Sequence, residues 1–353
     1  MKIASIIGAR PNFIKCAPLS RELRKAFDEV IIHTGQHYDY EMSKVFFDEL
    51  KIPEPDYHLG VGSGSHAYQT GEILKRTEEV LIKEAPDFVL VFGDTNSTLA
   101  GALAASKLHI KIGHIEAGLR SFDRQMPEET NRVLTDHCSD LLFCPTETAV
   151  KLLTQEGIEN GVYLTGDVMV DALQENIKIA EQNSNVLDLL SLKQEEYYLA
   201  TIHRPENTDT FEKLKSIVDA FCLNEKIVFP CHPRTEKLLK QFGLWAMLTK
   251  KVKVMKPVGY LDMLILEKNA KKILTDSGGI QKEAYIFKVP CVTLRDSTEW
   301  VETVEDGWNV LVGASKEKIA KMANDFEPKG EQRDVFGSGN ASEKITKVLK
   351  GLQ

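Results

Sequence analysis

The chain has 353 residues, with 44 Lys plus Arg against 52 Asp plus Glu and a formal net charge of −8. At about 150 residues per domain this length fits two domains, and 42% hydrophobic with 27% charged residues is the composition of an ordinary globular protein. The acidic balance argues against a nucleic-acid partner or a polybasic membrane anchor, and no apolar run reaches the roughly 20 residues that a bilayer-spanning helix needs.

The six cysteines, Cys16, Cys138, Cys144, Cys222, Cys231 and Cys291, contain no CxxC pair, so neither a zinc knuckle nor a thioredoxin-type motif is present. Most sit in or beside apolar runs and read as buried thiols of a reducing compartment. The opening MKIASIIGARPNF has too short an apolar run for a signal peptide, and the expectation is a cytoplasmic protein.

In chain order, Lys2–Ile7 predicts a strand, followed by a turn and a helix near residues 13–24. Strands follow at 29–34 and, after the breaker Pro86-Asp87, at Phe88–Phe92. A small-residue helix at 97–107 leads to Lys111–Ile115, then Leu141–Cys144 and residues 161–165. Strand–helix alternation of this kind predicts an α/β fold with a parallel sheet covered on both faces. The rhythm restarts after Asn183, with strands at 197–201, 226–229, 251–255, Lys272–Thr275 and 291–294. The expectation is two Rossmann-like doubly wound domains, 1–175 and 176–339, with the final helix (about 341–352, within 340–353) returning to the first.

In open α/β sheets ligands bind beyond the carboxyl ends of the strands, so the chemistry is sought there. Gly8-Ala9-Arg10-Pro11-Asn12 follows the first strand; it is no GxGxxG dinucleotide fingerprint. Arg10 and Lys15 either face a phosphate at a helix start or are surface cations. Asp94, in Gly93-Asp94-Thr95-Asn96, either caps the next helix or serves as an acid or base. Glu116, in His114-Ile115-Glu116-Ala117-Gly118-Leu119-Arg120, ends a strand; burying it demands a partner, for which Arg120 and Arg132 are the candidates. Glu128, in Pro127-Glu128-Glu129, stands in a first helical turn, where the dipole favours acids in any case. Taken together, Asp94, Glu116 and Glu128 suggest carboxylates crowded enough to raise one another's pKa.

In the second half, His203-Arg204-Pro205-Glu206-Asn207 and Pro230-Cys231-His232-Pro233 both follow strands. Metal binding competes for these histidines, but no HxH, HExxH or carboxylate at ligand spacing accompanies them. Thr275-Asp276-Ser277-Gly278-Gly279-Ile280-Gln281-Lys282-Glu283 is the most informative run. A strand enters Ser-Gly-Gly and a helix starts at once, offering free N–H groups to a diphosphate, with Glu283 within reach of ribose hydroxyls. The alternative is a plain glycine-rich turn.

From Gly8 to about Gly307 the ordered motifs G-x-R-P, GDTNST, HIEAGLRS, PEETNR, HRxEN, PCHP, LTDSGGIQKEA and RDSTE resemble those of the non-hydrolysing UDP-N-acetylglucosamine 2-epimerases. The resemblance implies a GT-B-like pair of Rossmann domains with the nucleotide in an interdomain cleft. It also implies inversion of carbon 2 of UDP-N-acetylglucosamine, by elimination of UDP to 2-acetamidoglucal and re-addition. On that likeness Asp94, Glu116 and Glu128 are the acids and bases, and His203 serves the leaving diphosphate or a proton transfer. Arg10, Lys15, His232, Ser277, Gly278 and Gly279 hold the diphosphate and nucleotide, and Glu283 holds the ribose. Val258 and Met263 border the uracil, and Arg295 joins the substrate-binding set. No cofactor or metal is required, and a homodimer is the family expectation.

Two departures stand out. Pro205 replaces the second Arg of the HRRE that bacterial members commonly carry, where that Arg helps bind a second, activating substrate molecule. Trp300 replaces the Arg of the usual TERPE. Weak or absent activation by a second substrate is therefore expected. The hydrolysing relative, an epimerase of a UDP-diacetamido uronic acid, a glycosyltransferase of the same fold and a non-catalytic nucleotide-binding module are the alternatives.

Overall fold

The structure, a computed structural model, describes residues 1–36, 52–224 and 226–352. The chain divides into two compact units, residues 1–175 with 334–353, and residues 176–333.

The first unit is built on seven parallel strands: β1 (Lys2–Ile7), β2 (Asp28–His33), β3 (Tyr57–His58), β4 (Phe88–Phe92), β5 (Lys111–Ile115), β6 (Leu141–Cys144) and β7 (Val162–Leu164), in the order β3-β2-β1-β4-β5-β6-β7. Runs such as FVLVF and LLFC are buried throughout, as a sheet covered on both faces requires. Helices Arg10–Leu23, His66–Glu84, Asn96–Lys107 and Pro127–Cys138 are among its connections. The C-terminal helix Ala341–Lys350 belongs to this unit: the Asp171 carboxylate accepts the N–H groups of Ala341 (3.2 Å) and Ser342 (2.9 Å) at its start.

The second unit repeats the plan with six parallel strands, β8 (Tyr198–Thr201), β9 (Ile227–Pro230), β10 (Lys253–Met255), β11 (Lys272–Thr275), β12 (Cys291–Thr293) and β13 (Asn309–Leu311), ordered β10-β9-β8-β11-β12-β13. Phe221, Phe229, Leu239 and Ile319 are among the fully buried side chains of its core. Both orders reverse direction once, between β1 and β4 and between β8 and β11. Such switch points are where doubly wound sheets bind ligands.

The strand at 251–255 is shorter than its alternating pattern predicts, because Lys251 is the last residue of the helix Trp245–Lys251. All six cysteines are free thiols; Cys138 and Cys222 are half-buried and the other four buried. Among the described residues no helix is long and apolar enough to cross a membrane.

His33, at the end of β2, stacks on Phe13 (centroids 5.0 Å) and His58 (4.4 Å), and its Nδ1 accepts the Gly35 N–H at 3.0 Å. Burial, and then the neighbouring His58 ring, lower its pKa to about 3. An unfolded histidine titrates near about 6.5, so on acidification the unfolded chain takes up this proton first. The associated stability is fully present above about pH 6.5 and is lost as the pH falls toward about 3. His33→Gln should therefore flatten the acid limb of stability between pH 6.5 and 4, measured by urea unfolding at each pH; a limb parallel to wild type would contradict this.

Candidate active site

At the switch point of the first unit, Gly93 and Asp94 follow β4, and Arg10 and Lys15 lie on the helix that follows β1. Asn12 ties the two: its Nδ2 donates to the Phe92 carbonyl (2.8 Å) and its Oδ1 accepts from Ala9 N (3.1 Å) and the Thr95 hydroxyl (3.2 Å). Lys15 forms an ion pair with Glu116, with side-chain exposures of 8% and 7%. The pair lies against Gly93: a Cβ there would meet Lys15 Nζ at 2.9 Å and Glu116 Oε2 at 3.1 Å, and its φ of +62° belongs to glycine.

Asp94 is held by Arg132, which donates Nε (3.0 Å) and Nη2 (2.7 Å) to Oδ2. Arg132 Nη1 reaches Glu129 at 3.0 Å, and Glu129 accepts the N–H groups of Ser121 (2.8 Å) and Phe122 (2.9 Å). Burial alone would raise Glu129, but these donors outweigh it and hold its carboxyl below the usual range.

Glu116 pairs with Lys15, a residue that the sequence pattern did not single out for it, while Arg120 pairs with Asp136 and Glu156, and Arg132 with Asp94 and Glu129. Asp94 and Glu116 each carry a cation. Lys15, expected beside the diphosphate, is buried on Glu116. Glu128 is half-buried on the helix Pro127–Cys138, outside the Asp94–Arg132 chain that its neighbour Glu129 enters. Arg10 opens its helix and is half-buried.

Glu116 adopts φ +71°, a left-handed backbone that is strained for a non-glycine residue. Such conformations cost on the order of 1–3 kcal/mol and persist where the surroundings impose them. Here Glu116 N and Ala117 N both donate to the Phe143 carbonyl at 3.1 Å.

In the second unit the strand ends at the switch point are joined by the Thr201 and Thr275 hydroxyls, 2.6 Å apart. Asp276, fully buried, follows β11 and accepts the N–H groups of His203 (3.1 Å) and Arg204 (3.0 Å) and Asn207 Nδ2 (3.2 Å). The His203 ring nitrogen Nδ1 lies 3.1 Å from Asp276, with 46% of the side chain exposed. Burial would raise Asp276, but His203 and the other donors outweigh it and keep the carboxyl below its ordinary value. His232 caps the helix Pro233–Gln241 by accepting the Arg234 N–H (3.2 Å). Burial, then the charge of neighbouring His203, lower its pKa.

Ser277 caps the helix Gly278–Ile286, at whose start Gly279 is exposed. The Glu299 carboxylate, bound to Arg295 (2.9 Å), packs so closely on Gly278 that a Cβ there would lie 2.2 Å from Oε1. Lys282, buried on the same helix, stacks 4.2 Å over the Trp300 ring. Glu283 is buried and accepts the Tyr260 hydroxyl at 3.1 Å. Tyr260 opens the helix that carries buried Met263, and half-buried Val258 precedes it. The second unit thus brings His203, His232 and Ser277–Gly279 to the carboxyl edge of its sheet, and Arg295 joins them through Glu299.

Sequence reasoning assigned no role to Glu129, Asp136 or Asp276. Asp276 stands directly before Ser-Gly-Gly at a strand end and was open to detection; nothing in the spacing marks Asp136 as a partner of His114. Among the described residues no group of three or more His, Cys, Asp or Glu is placed to hold a metal ion.

Two Rossmann-type sheets, each with polar and charged residues gathered after the strands of its switch point, define the class: a two-domain, doubly wound α/β protein. The family model described as UDP-N-acetylglucosamine 2-epimerase matches residues 21–350. A UDP-N-acetylglucosamine 2-epimerase homolog of Methanococcus maripaludis is 60% identical, covering 100% of both chains. A UDP-2,3-diacetamido-2,3-dideoxy-D-glucuronate 2-epimerase of Pseudomonas aeruginosa is 49% identical, again over 100% of both. The crystal structure of Methanocaldococcus jannaschii UDP-GlcNAc 2-epimerase in complex with UDP-GlcNAc and UDP is 52% identical. It superimposes with a TM-score of 0.93 over 99% of this chain and 100% of that one. The chain belongs to the UDP-N-acetylglucosamine 2-epimerase family, and is thereby an enzyme, a carbohydrate epimerase.

Proposed function

We propose that the enzyme is of the non-hydrolysing kind and interconverts UDP-N-acetylglucosamine and UDP-N-acetylmannosamine, keeping UDP on the sugar at the end of each turnover. The observation that carries this reading is the division of chemistry between two switch points. The first unit presents carboxylates, Asp94 and Glu116, each steadied by a cation. The second presents a Ser-Gly-Gly helix start beside paired histidines, chemistry suited to a diphosphate.

The reaction accounts for the residue types. The carbon-2 proton is not acidic, so cleavage of the anomeric C1–O bond leads or accompanies its removal. A carboxylate takes the proton, the C–H electron pair forms the C1–C2 double bond, and the C1–O pair leaves with UDP. In the return step a proton is delivered to the opposite face of carbon 2 and the UDP oxygen bonds to carbon 1. Charge developing on the departing diphosphate calls for fixed donors, and two faces call for two proton carriers. In this reading the two carriers are drawn from Asp94, Glu116 and Glu128. Arg10, His203, His232 and Ser277–Gly279 serve the diphosphate, Arg295 joins the substrate-binding set, Glu283 serves the ribose, and Val258 and Met263 border the base. Lys15 acts through Glu116.

A second reading, epimerisation of a UDP-diacetamido uronate, is favoured by the relative of Pseudomonas aeruginosa. Parallel incubations with each UDP-sugar, followed by proton NMR, separate the two; turnover of the uronate alone would replace the first reading.

Pro205 opens the short helix Pro205–Thr208 and Trp300 is buried beneath Lys282, so neither position offers an arginine to a second substrate molecule. Initial rates should rise hyperbolically with UDP-N-acetylglucosamine; clear sigmoidicity would overturn this. On family resemblance we further propose a cytoplasmic homodimer, checked by light scattering of the purified chain.

A further inference from the structure

We infer that Asp136 and His114 are positioning residues, which fix the two turns carrying Asp94 and Glu116 relative to each other. The inference rests on the proposed roles of those carboxylates. His114, on β5, lies with Nε2 2.7 Å from the Gly93 carbonyl and Nδ1 2.7 Å from Asp136 Oδ1. The carbonyl can only accept, so Nε2 carries the hydrogen that holds the Gly93–Asp94 turn. The other Asp136 oxygen accepts Gly118 N (3.1 Å) and Arg120 Nη1 (2.7 Å). Arg120 is anchored at its far end by both Glu156 oxygens, each at 2.7 Å.

One carboxylate therefore touches the turn after β5 directly and the turn after β4 through an imidazole. The side chains of His114 and Asp136 are 0% exposed and that of Arg120 1%, so none of them meets substrate. Both turns have conformations that need holding: φ is +62° at Gly93, +71° at Glu116 and +81° at Gly118. A buried ionisable chain is a costly way to stabilise a fold that apolar side chains could fill. Its ends fall on the turns that bear the two carboxylates, which is where a rigid link serves proton transfer to a fixed carbon.

The test uses the full chain, with kcat and KM for UDP-N-acetylglucosamine measured per folded enzyme. Wild type is assayed first: no epimerisation there would remove the reading of the activity and overturn this proposal with it, whereas an active wild type with unaffected variants overturns the link alone. His114→Asn keeps a group near Nδ1 but loses the bond to Gly93; Asp136→Asn keeps one acceptor but loses the charge. Each should lower kcat tenfold or more with KM within twofold. His114→Gln, which keeps a donor near Nε2, should recover most of that loss yet stay about threefold below wild type. Wild-type kcat in a folded Asn variant, or activity falling only in step with the folded fraction, would overturn the proposal. If neither Asn variant folds, His114→Gln decides: unchanged kcat overturns it and a lowered kcat at constant KM supports it.

Discussion

Asp94→Asn is expected to lower kcat by about 10²–10⁴-fold, the contribution of a positioned acid or base, while leaving the fold and the affinity for UDP nearly untouched. The Asp94 side chain is 31% exposed, and an Asn oxygen can still accept from Arg132. A partly exposed ion pair contributes at most about 1 kcal/mol, so thermal unfolding should barely move. Glu116→Gln should lose comparable activity but behave differently in stability, because it removes the counter-charge of Lys15, whose side chain is 8% exposed. Breaking a buried pair from one side costs about 3–5 kcal/mol. Adding Lys15→Met to Glu116→Gln should recover most of that stability and none of the activity. Activity assays beside denaturant titrations of the four proteins check the set. Wild-type turnover in Asp94→Asn, or activity that returns with stability in the double variant, would contradict it.

The second large effect is expected at Asp276. Replacing it with Asn puts an amide against the N–H groups of His203 and Arg204, which the carboxylate accepts at 3.1 and 3.0 Å. At about 1–3 kcal/mol per buried group left unsatisfied, the total is on the order of 3 kcal/mol. A loss of that size lowers the Tm of a domain of this size by roughly 6–12 °C. The anchor of His203 beside the Ser277–Gly279 turn goes with it, so UDP affinity should drop tenfold or more by calorimetry. The pH dependence has a definite sign. The folded Asp276 carboxyl lies below its ordinary value, and an unfolded Asp titrates near about 4. Its contribution is fully present above about pH 4 and is lost as the pH falls through the depressed folded value. The stability gap between wild type and Asp276→Asn should therefore be widest near neutrality and narrow at pH 2–3; a gap that is flat with pH would contradict the assignment.

Much of the fold was legible because buried parallel strands are continuous apolar runs, and the runs at Lys2–Ile7, Phe88–Phe92, Lys111–Ile115, Leu141–Cys144 and Lys272–Thr275 end where the pattern predicts. The strands β3 and β13 were not anticipated, and β3, of two residues, is too short to leave a pattern. The helix His66–Glu84 was not anticipated: it buries only Gln69, Ile73, Thr77, Val80 and Leu81, a narrow stripe in a largely polar segment.

The candidate site was legible in part because doubly wound sheets place every strand end on one edge, so motifs after strands could be picked out one by one. Pairing could not be read the same way. Lys15 meets Glu116 across 101 residues, Arg132 meets Asp94 across 38, and His203 meets Asp276 across 73. Those partnerships follow from strand order, which hydrophobic runs do not encode. For that reason the nearby arginines were the natural candidates for Glu116, and a lysine on the first helix holds it instead.

The central claim is that a proton leaves and returns at carbon 2 while UDP departs and rejoins the same sugar. Proton NMR of UDP-N-acetylglucosamine incubated with the enzyme in deuterated water tests it most directly. The account predicts UDP-N-acetylmannosamine alongside the starting sugar nucleotide, with deuterium at carbon 2 and the diphosphate still attached. Free N-acetylmannosamine with UDP, or epimerisation with carbon 2 still fully protonated, would contradict it.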